Sequence, residues 1–129
     1  TLVDSGIGKV IATGIVQANL NPLLAGWIVA VLIRLATGSA TVATVTASGI
    51  VAPLAANLNQ VQLALLVLAI GAGSIFLSHV NDAGFWLVKE YFGMSVGQTF
   101  KTWSLMETVL SVVGLAIIML VSAVVPVFI

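Results

Sequence analysis

The stretch "SHVNDAGFW", residues 78–86, sets Ser78, His79, Asn81 and Asp82 side by side in a chain that is otherwise almost wholly apolar. Asn81 or Asp82 suits the N-cap of a helix running from Ala83 to Tyr91, because a short polar side chain can accept the free N–H groups of a first turn. The same N-terminus, left uncapped, attracts an anion through its N–H groups and partial positive charge, so capping and binding compete for the same donors. An imidazole titrates nearest to neutral pH, which makes His79 either a proton acceptor or a satisfied hydrogen-bonding group. His79 and Asp82 are therefore the candidates for carrying a proton.

A second polar set lies upstream. Arg34 precedes "TGSAT" (37–41), and Thr37, Thr41, Thr44 and Ser48 recur at i, i+4, i+7 and i+11, which gathers their hydroxyls on one helical face. Such hydroxyls bond their own backbone or join two membrane helices, whereas Ser39 and Thr41, beside the turn, are assigned to a ligand. An unpaired cation inside a bilayer costs at least about 2.5 kcal/mol, so Arg34 needs a partner. That partner is either Asp82 and backbone carbonyls at the turn, or an anionic ligand, gripped in a bidentate way if it is a carboxylate. The candidate substrate-binding set is Arg34, Thr37, Gly38, Ser39, Thr41, Ser78, Asn81 and Asp82.

The surroundings explain why these groups stand out. Of 129 residues, 60% are hydrophobic and 6% charged, against about 25% charged in a soluble domain. With a mean hydropathy of +1.24, the expected partner is the lipid bilayer. Four basic residues balance four acidic ones, which excludes nucleic acid as a partner and a polybasic lipid patch. Without cysteine, and with one histidine, no metal site and no cofactor is expected. The residues from Thr1 onward show no basic n-region followed by an apolar stretch and a small-residue cleavage site, and the chain reads as a piece of something longer.

Hydropathy and turn residues divide the chain, read as an all-α membrane protein, into four parts. Residues 1–19 read as the end of a helix that begins upstream. Asn19, Asn21 and Pro22 mark a helix start, and the apolar runs on either side of "TGSAT" form two arms over 22–56. About 15 residues make an arm of about 22 Å, short of a hydrocarbon core of about 30 Å, so 22–56 reads as a re-entrant hairpin; one long helix from 23 to 53 is the alternative. Irregular backbone at membrane depth persists only where protein or a wet cavity satisfies it, which favours the hairpin.

"NLNQVQ" (57–62) is a polar loop without basic residues and is expected outside. Residues 63–92 form a broken helix: an apolar segment stops at Ser78, and "HVNDAG" interrupts it before "FWLVKEYF". "KEYFGMSVGQTFK" (89–101) carries two lysines among aromatics and is expected at the cytoplasmic interface, where Lys89, Glu90 and Lys101 are solvated charges. Residues 103–126 are a transmembrane helix whose Ser104, Glu107, Thr108, Ser111 and Gly114 share one side, suited to close packing. Glu107 is not assigned to the site.

The motifs "RLATGSATVATVTASGIVAPL" (34–54) and "GAGSIFLSHVNDAGFWLVKEYFGMSVGQTFKTWS" (71–104) resemble the gluconate permease family of proton symporters, within the ion-transporter superfamily. "LVDSGIGKVIA" (2–12) extends the resemblance, which covers nearly the whole chain and places it in the C-terminal part of such a permease. The resemblance implies an inverted-repeat transporter, with 22–56 and 63–92 as the hairpin and broken helix of the second repeat. It also implies import of gluconate or a related sugar acid with protons across the cell inner membrane by a multi-pass, elevator-like protein. The N-terminal part would supply the other half of the site, so this piece alone is expected to be inactive; a homo-oligomer is a further possible partner arrangement.

Other readings are a transporter of another small organic anion, an intramembrane enzyme using His79 and Asp82 as acid and base, and a structural membrane subunit. The enzyme lacks a convincing nucleophile, since Ser78 adjoins His79 in sequence and neighbours seldom align as nucleophile and base. A structural subunit would carry its polar groups at helix contacts rather than at two interruptions.

Overall fold

The computed structural model describes residues 6–128, and every regular element among them is helical. α1 spans Ile7–Gln17, α2 Pro22–Thr37, α3 Ala40–Ala55, α4 Gln60–Ser74 and α5 Ala83–Tyr91. A four-residue α6, Val96–Thr99, runs through a π-helical turn, Phe100–Ser104, into α7, Leu105–Phe128. Among the described residues one helix, Val96–Val125, is long and apolar enough to cross a membrane, while α2, α3 and α4 are apolar but shorter.

Local chemistry sets these boundaries. Pro22 opens α2, where its missing N–H is of no consequence, and Asn21 caps it by accepting from the Leu23 N–H at 2.9 Å. Gly38 closes α2 in the left-handed region (φ +69°), donating its N–H to the Arg34 carbonyl at 2.8 Å. Ser39 then caps α3. The chain folds back at Gly38 and Ser39, since Pro22 at the start of α2 shares a cavity with Leu54 at the far end of α3 and Leu58 just beyond it.

α1 starts at Ile7, with the Gly6 carbonyl as its first acceptor from the Val10 N–H, and the expected continuation from upstream falls on residues 1–5, outside the described residues. Three sequence boundaries are corrected. The polar loop expected over 57–62 ends sooner, because Asn59 and Gln62 form a reciprocal capping box that starts α4 at Gln60. α4 stops at Ser74 rather than Ser78, and Leu77 lies in the left-handed region at φ +43°, which a helix cannot accommodate. The last helix begins at Val96 rather than 103, because Ser95 and Gln98 make a second capping box.

The helices pack around small residues. α4 lies in the middle, against α2, α3 and α7, and its buried Leu66, Ala69 and Ile70 join Val29, Ala30, Ala47 and Ile50 in one apolar cluster. The α2–α4 approach is so close that a Cβ on Gly73 would stand 2.5 Å from the Trp27 carbonyl oxygen, and one on Gly26 2.7 Å from Leu66. Between α4 and α7 the contact is Ala72 on Gly114. Backbones this near one another gain dispersion contacts that lipid does not offer, which is the usual basis of helix association in membranes. Trp27 fastens α2 to α7 by donating from Nε1 to Ser111 Oγ at 3.0 Å, and meets Phe76 edge to face at 5.6 Å.

Gly73→Ala is expected to destabilise the fold by about 1–3 kcal/mol, because rigid backbone rather than a movable side chain opposes the new methyl group. Gly71→Ala, which meets nothing within 4 Å, should change stability by no more than about 0.5 kcal/mol. Thermal unfolding of the two variants in detergent micelles, followed by circular dichroism, measures the contrast.

Candidate functional site

The end of α2 and the unwound segment between α4 and α5 meet. A Cβ on Gly38 would stand 2.2 Å from the Asn81 carbonyl oxygen, so both the left-handed φ and the close approach demand glycine there. Helix ends leave carbonyls without partners, and here the opposite segment supplies them. Asn81 Nδ2 donates to the Leu35 carbonyl at 2.9 Å, and His79 Nε2 lies 3.2 Å from the same oxygen. A carbonyl only accepts, so that second bond holds the imidazole proton on Nε2.

Arg34 is the centre of the junction. It is 3% exposed; its Nη1 donates to the Gly38 carbonyl at 2.7 Å and its Nη2 to Asp82 Oδ2 at 2.5 Å. Among the described residues its Nε has no hydrogen-bond partner. Asp82 caps α5 by accepting the Gly84 N–H on Oδ1 at 2.8 Å, while Oδ2 also accepts from the Ser78 hydroxyl. One carboxylate thus serves an ion pair and a helix cap together.

α7 forms the third wall. In the π-helical turn one residue more than in an α-helix is fitted into the turn, and Trp103 and Ser104 both reach Ser78. Trp103 Nε1 donates to Ser78 Oγ at 3.1 Å, and the Ser104 hydroxyl donates to the Ser78 carbonyl. One turn on, Glu107 Oε2 lies 3.5 Å from Arg34 Nη2 and is buried without a hydrogen-bond partner among the described residues. The three elements enclose a cleft of about 430 Å³ whose polar lining includes Arg34, Thr37, Ser39, Asn81, Asp82 and Glu107. That volume lies in the range of small-molecule sites, about 300–1,000 Å³. Ala40 and Ala83, the first residues of α3 and α5, line it too, so the positive ends of two helices converge on it.

The GntP family permease profile matches residues 1–124. The chain belongs to that family of permeases. It is 62% identical over 123 residues to a protein named gluconate permease from Pseudomonas aeruginosa, an alignment covering 95% of this chain and 27% of that protein. It is 49% identical over 124 residues to a gluconate permease of Bacillus subtilis, covering 96% and 28%. A third relative, the Gnt-II system L-idonate transporter of Escherichia coli, is 50% identical over 123 residues, covering 95% and 28%. The chain therefore spans about a quarter of the length of the curated relatives it matches. No solved structure matches it with significance. A permease family and one long apolar helix together make this a membrane protein.

Within this permease chain the sequence-derived residues fall into three groups. Arg34, Thr37, Gly38, Ser39, Asn81 and Asp82 line the cleft, although the Thr37 hydroxyl is spent on the Ile33 carbonyl at 2.8 Å. Ser78 is fully buried behind it, holding Asp82. Thr41 is exposed and is not among the cleft's lining residues. Thr44 bonds back to the Ala40 carbonyl at 2.9 Å. His79 is likewise outside the lining, against Leu35. Glu107, Trp103 and Ser104 were not assigned from sequence. A carboxylate in a long apolar helix was itself the signal for Glu107, since such residues are costly unless they face a partner or a cavity.

Asp82→Ala is expected to cost about 3 kcal/mol of stability, because it removes the carboxylate nearest to a buried guanidinium, at 2.5 Å, and the cap of α5. Glu90→Ala breaks the exposed Lys89–Glu90 pair (2.6 Å) and should cost at most about 1 kcal/mol. Unfolding in detergent by increasing sodium dodecyl sulfate separates the two.

Proposed function

We propose that this chain carries half of the substrate site of a secondary transporter that imports gluconate or a related sugar acid together with protons. In this reading α2 and α3 are a re-entrant hairpin, α4 and α5 a broken transmembrane helix, and α7 a full span. The two interruptions meet near the middle of a bacterial inner membrane. The observation that carries the reading is the Arg34 junction: a buried guanidinium with a spare Nε donor, at a polar cleft on which two helix N-termini converge.

A sugar acid offers one carboxylate and several hydroxyls. The carboxylate suits the guanidinium and the helix ends, and the hydroxyls suit the Ser39 hydroxyl, the Asn81 amide and the Asp82 carboxylate. The relatives' names, gluconate permease and L-idonate transporter, support the sugar-acid class, and two sugar acids among proteins this similar suggest that the carboxylate end is the shared feature. Their greater length supports a site completed by a second, inversely oriented repeat.

Another small organic anion would use the same anchor. An acid–base enzyme is disfavoured by geometry: the Ser78 hydroxyl that donates to Asp82 is fully buried and outside the cleft lining, and His79 is turned to the Leu35 carbonyl, so no hydroxyl paired with a base is open to a substrate.

The test is uptake of labelled gluconate into proteoliposomes holding a full-length GntP-family permease with this segment in place. Wild-type uptake should be concentrative under an inward-directed proton gradient. Asn81→Ala and Ser39→Ala should each lower it by roughly 10-fold, as loss of a hydrogen bond worth about 1.5 kcal/mol to a substrate hydroxyl would give. Membrane insertion should be unchanged. Normal uptake by both variants would remove the cleft from the substrate path.

A further inference from the structure

The charge of the Arg34 junction is unbalanced. Asp82 and Glu107 stand on one guanidinium, at 2.5 Å and 3.5 Å, so one cation faces two carboxylates. The ionisable groups facing Glu107 are few: Arg34 is the only one on α2, Asp82 comes from the unwound segment, α4 contributes none, and His79 is occupied with Leu35. The two carboxylates also differ. Asp82 has both oxygens engaged, by the Gly84 N–H, the Ser78 hydroxyl and Arg34. Glu107 Oε2 is buried with no hydrogen-bond donor among the described residues.

An ionised carboxylate is held in place by donors, and excess charge at membrane depth is costly. Adding an organic anion at Arg34 would bring a third negative charge within Coulombic reach of a single cation. We propose that Glu107 takes up one proton when an anionic substrate docks at Arg34, and gives it up when the substrate leaves. The inference rests on the reading of the cleft as an organic-anion site and assigns the proton within it to Glu107, in place of His79 or Asp82.

The step balances. A proton from water on the side of entry forms an O–H bond on the Glu107 carboxylate; the neutral acid releases the guanidinium, and the substrate carboxylate takes its place. The junction gains one negative charge from the substrate and one positive from the proton, so its total is the same loaded or empty. On release the O–H bond breaks, the proton leaves with the substrate, and Glu107 returns to Arg34.

The experiment is binding of labelled gluconate to the full-length permease in detergent, as a function of pH. A single linked proton weakens apparent affinity about tenfold for each pH unit above the point where Glu107 ionises. Glu107→Gln, a permanent mimic of the protonated acid, should abolish that slope and bind at high pH as tightly as wild type does at low pH. It should still exchange internal for external gluconate but lose accumulation driven by a proton gradient. His79→Ala should keep the wild-type slope.

A Glu107→Gln protein with the wild-type slope overturns the assignment, and a flat His79→Ala profile transfers it to His79. If no sugar acid binds the wild type at any pH, the cleft reading itself falls. Should Glu107→Gln fail to fold, the infrared difference spectrum of wild type with and without gluconate decides. A carboxylic-acid C=O band that appears on binding and shifts in Glu107→Asp supports the proposal, and its absence overturns it.

Discussion

The guanidinium of Arg34 binds both interruptions of the helical framework at once. It donates to the Gly38 carbonyl, in the turn between α2 and α3, and to Asp82, the cap of α5. Unwound backbone surrounded by apolar helices would strand N–H and C=O groups at a cost of several kcal/mol each. Here the cost is met partly across the junction and partly within each segment. Asn81 and His79 of one interruption serve the Leu35 carbonyl of the other, while Arg34 and Gly38 serve each other within the first. The Leu35 carbonyl and the Arg34–Asp82 pair are satisfied across the two segments, and glycine at position 38 is what lets them come close enough.

The same constraint creates the opportunity for binding. Two helices that restart beside each other, α3 at Ala40 and α5 at Ala83, turn their positive ends into one cleft. A cation held by such a network does not collapse onto a neighbour when a ligand arrives, because its position is already fixed by Gly38 and Asp82. Pre-organisation of this kind is what allows binding free energy to appear as affinity instead of being absorbed in ordering the site. In the proposed reading a sugar acid exploits both features, the fixed cation for its carboxylate and the surrounding amide and hydroxyl groups for its chain.

α7 does more than anchor the chain in lipid. Its outer side shows Leu110, Val113, Ile117 and Leu120 exposed, as a lipid-facing or protein-covered helix should, while its inner side carries Ser104, Ser111 and Gly114 against α4, Trp27 and Ser78. The π-helical turn at its start brings Trp103 and Ser104 together onto one residue, Ser78, which in turn holds Asp82. The broken helix is thereby tied to a continuous one, and Glu107 is delivered to the junction one turn later.

Composition and punctuation alone determined much of this protein. An apolar chain with so few charges reads as a membrane protein, and its apolar runs of about 15 residues and more read as helices. Asn21–Pro22, Gly38–Ser39 and Asp82 mark helix ends because capping is local chemistry that a few adjacent residues decide. Residues 34–39 and 78–82 stood out because polar groups are expensive in such surroundings. The starts of α4 and of the last helix were misjudged where Asn59–Gln62 and Ser95–Gln98 form capping boxes among residues that otherwise read as polar loop. Only the tertiary structure decided which charges meet. Whether Arg34 pairs with Asp82, and whether Glu107 joins them, depends on how α7 is rotated and how deeply the unwound segment sits, and those follow from packing at Gly26, Gly73 and Gly114 and from the π-helical turn. Contacts between residues 34, 82 and 107 leave no trace in local spacing, because they are fixed by the fit of three helices to one another rather than by any preference of the chain beside them.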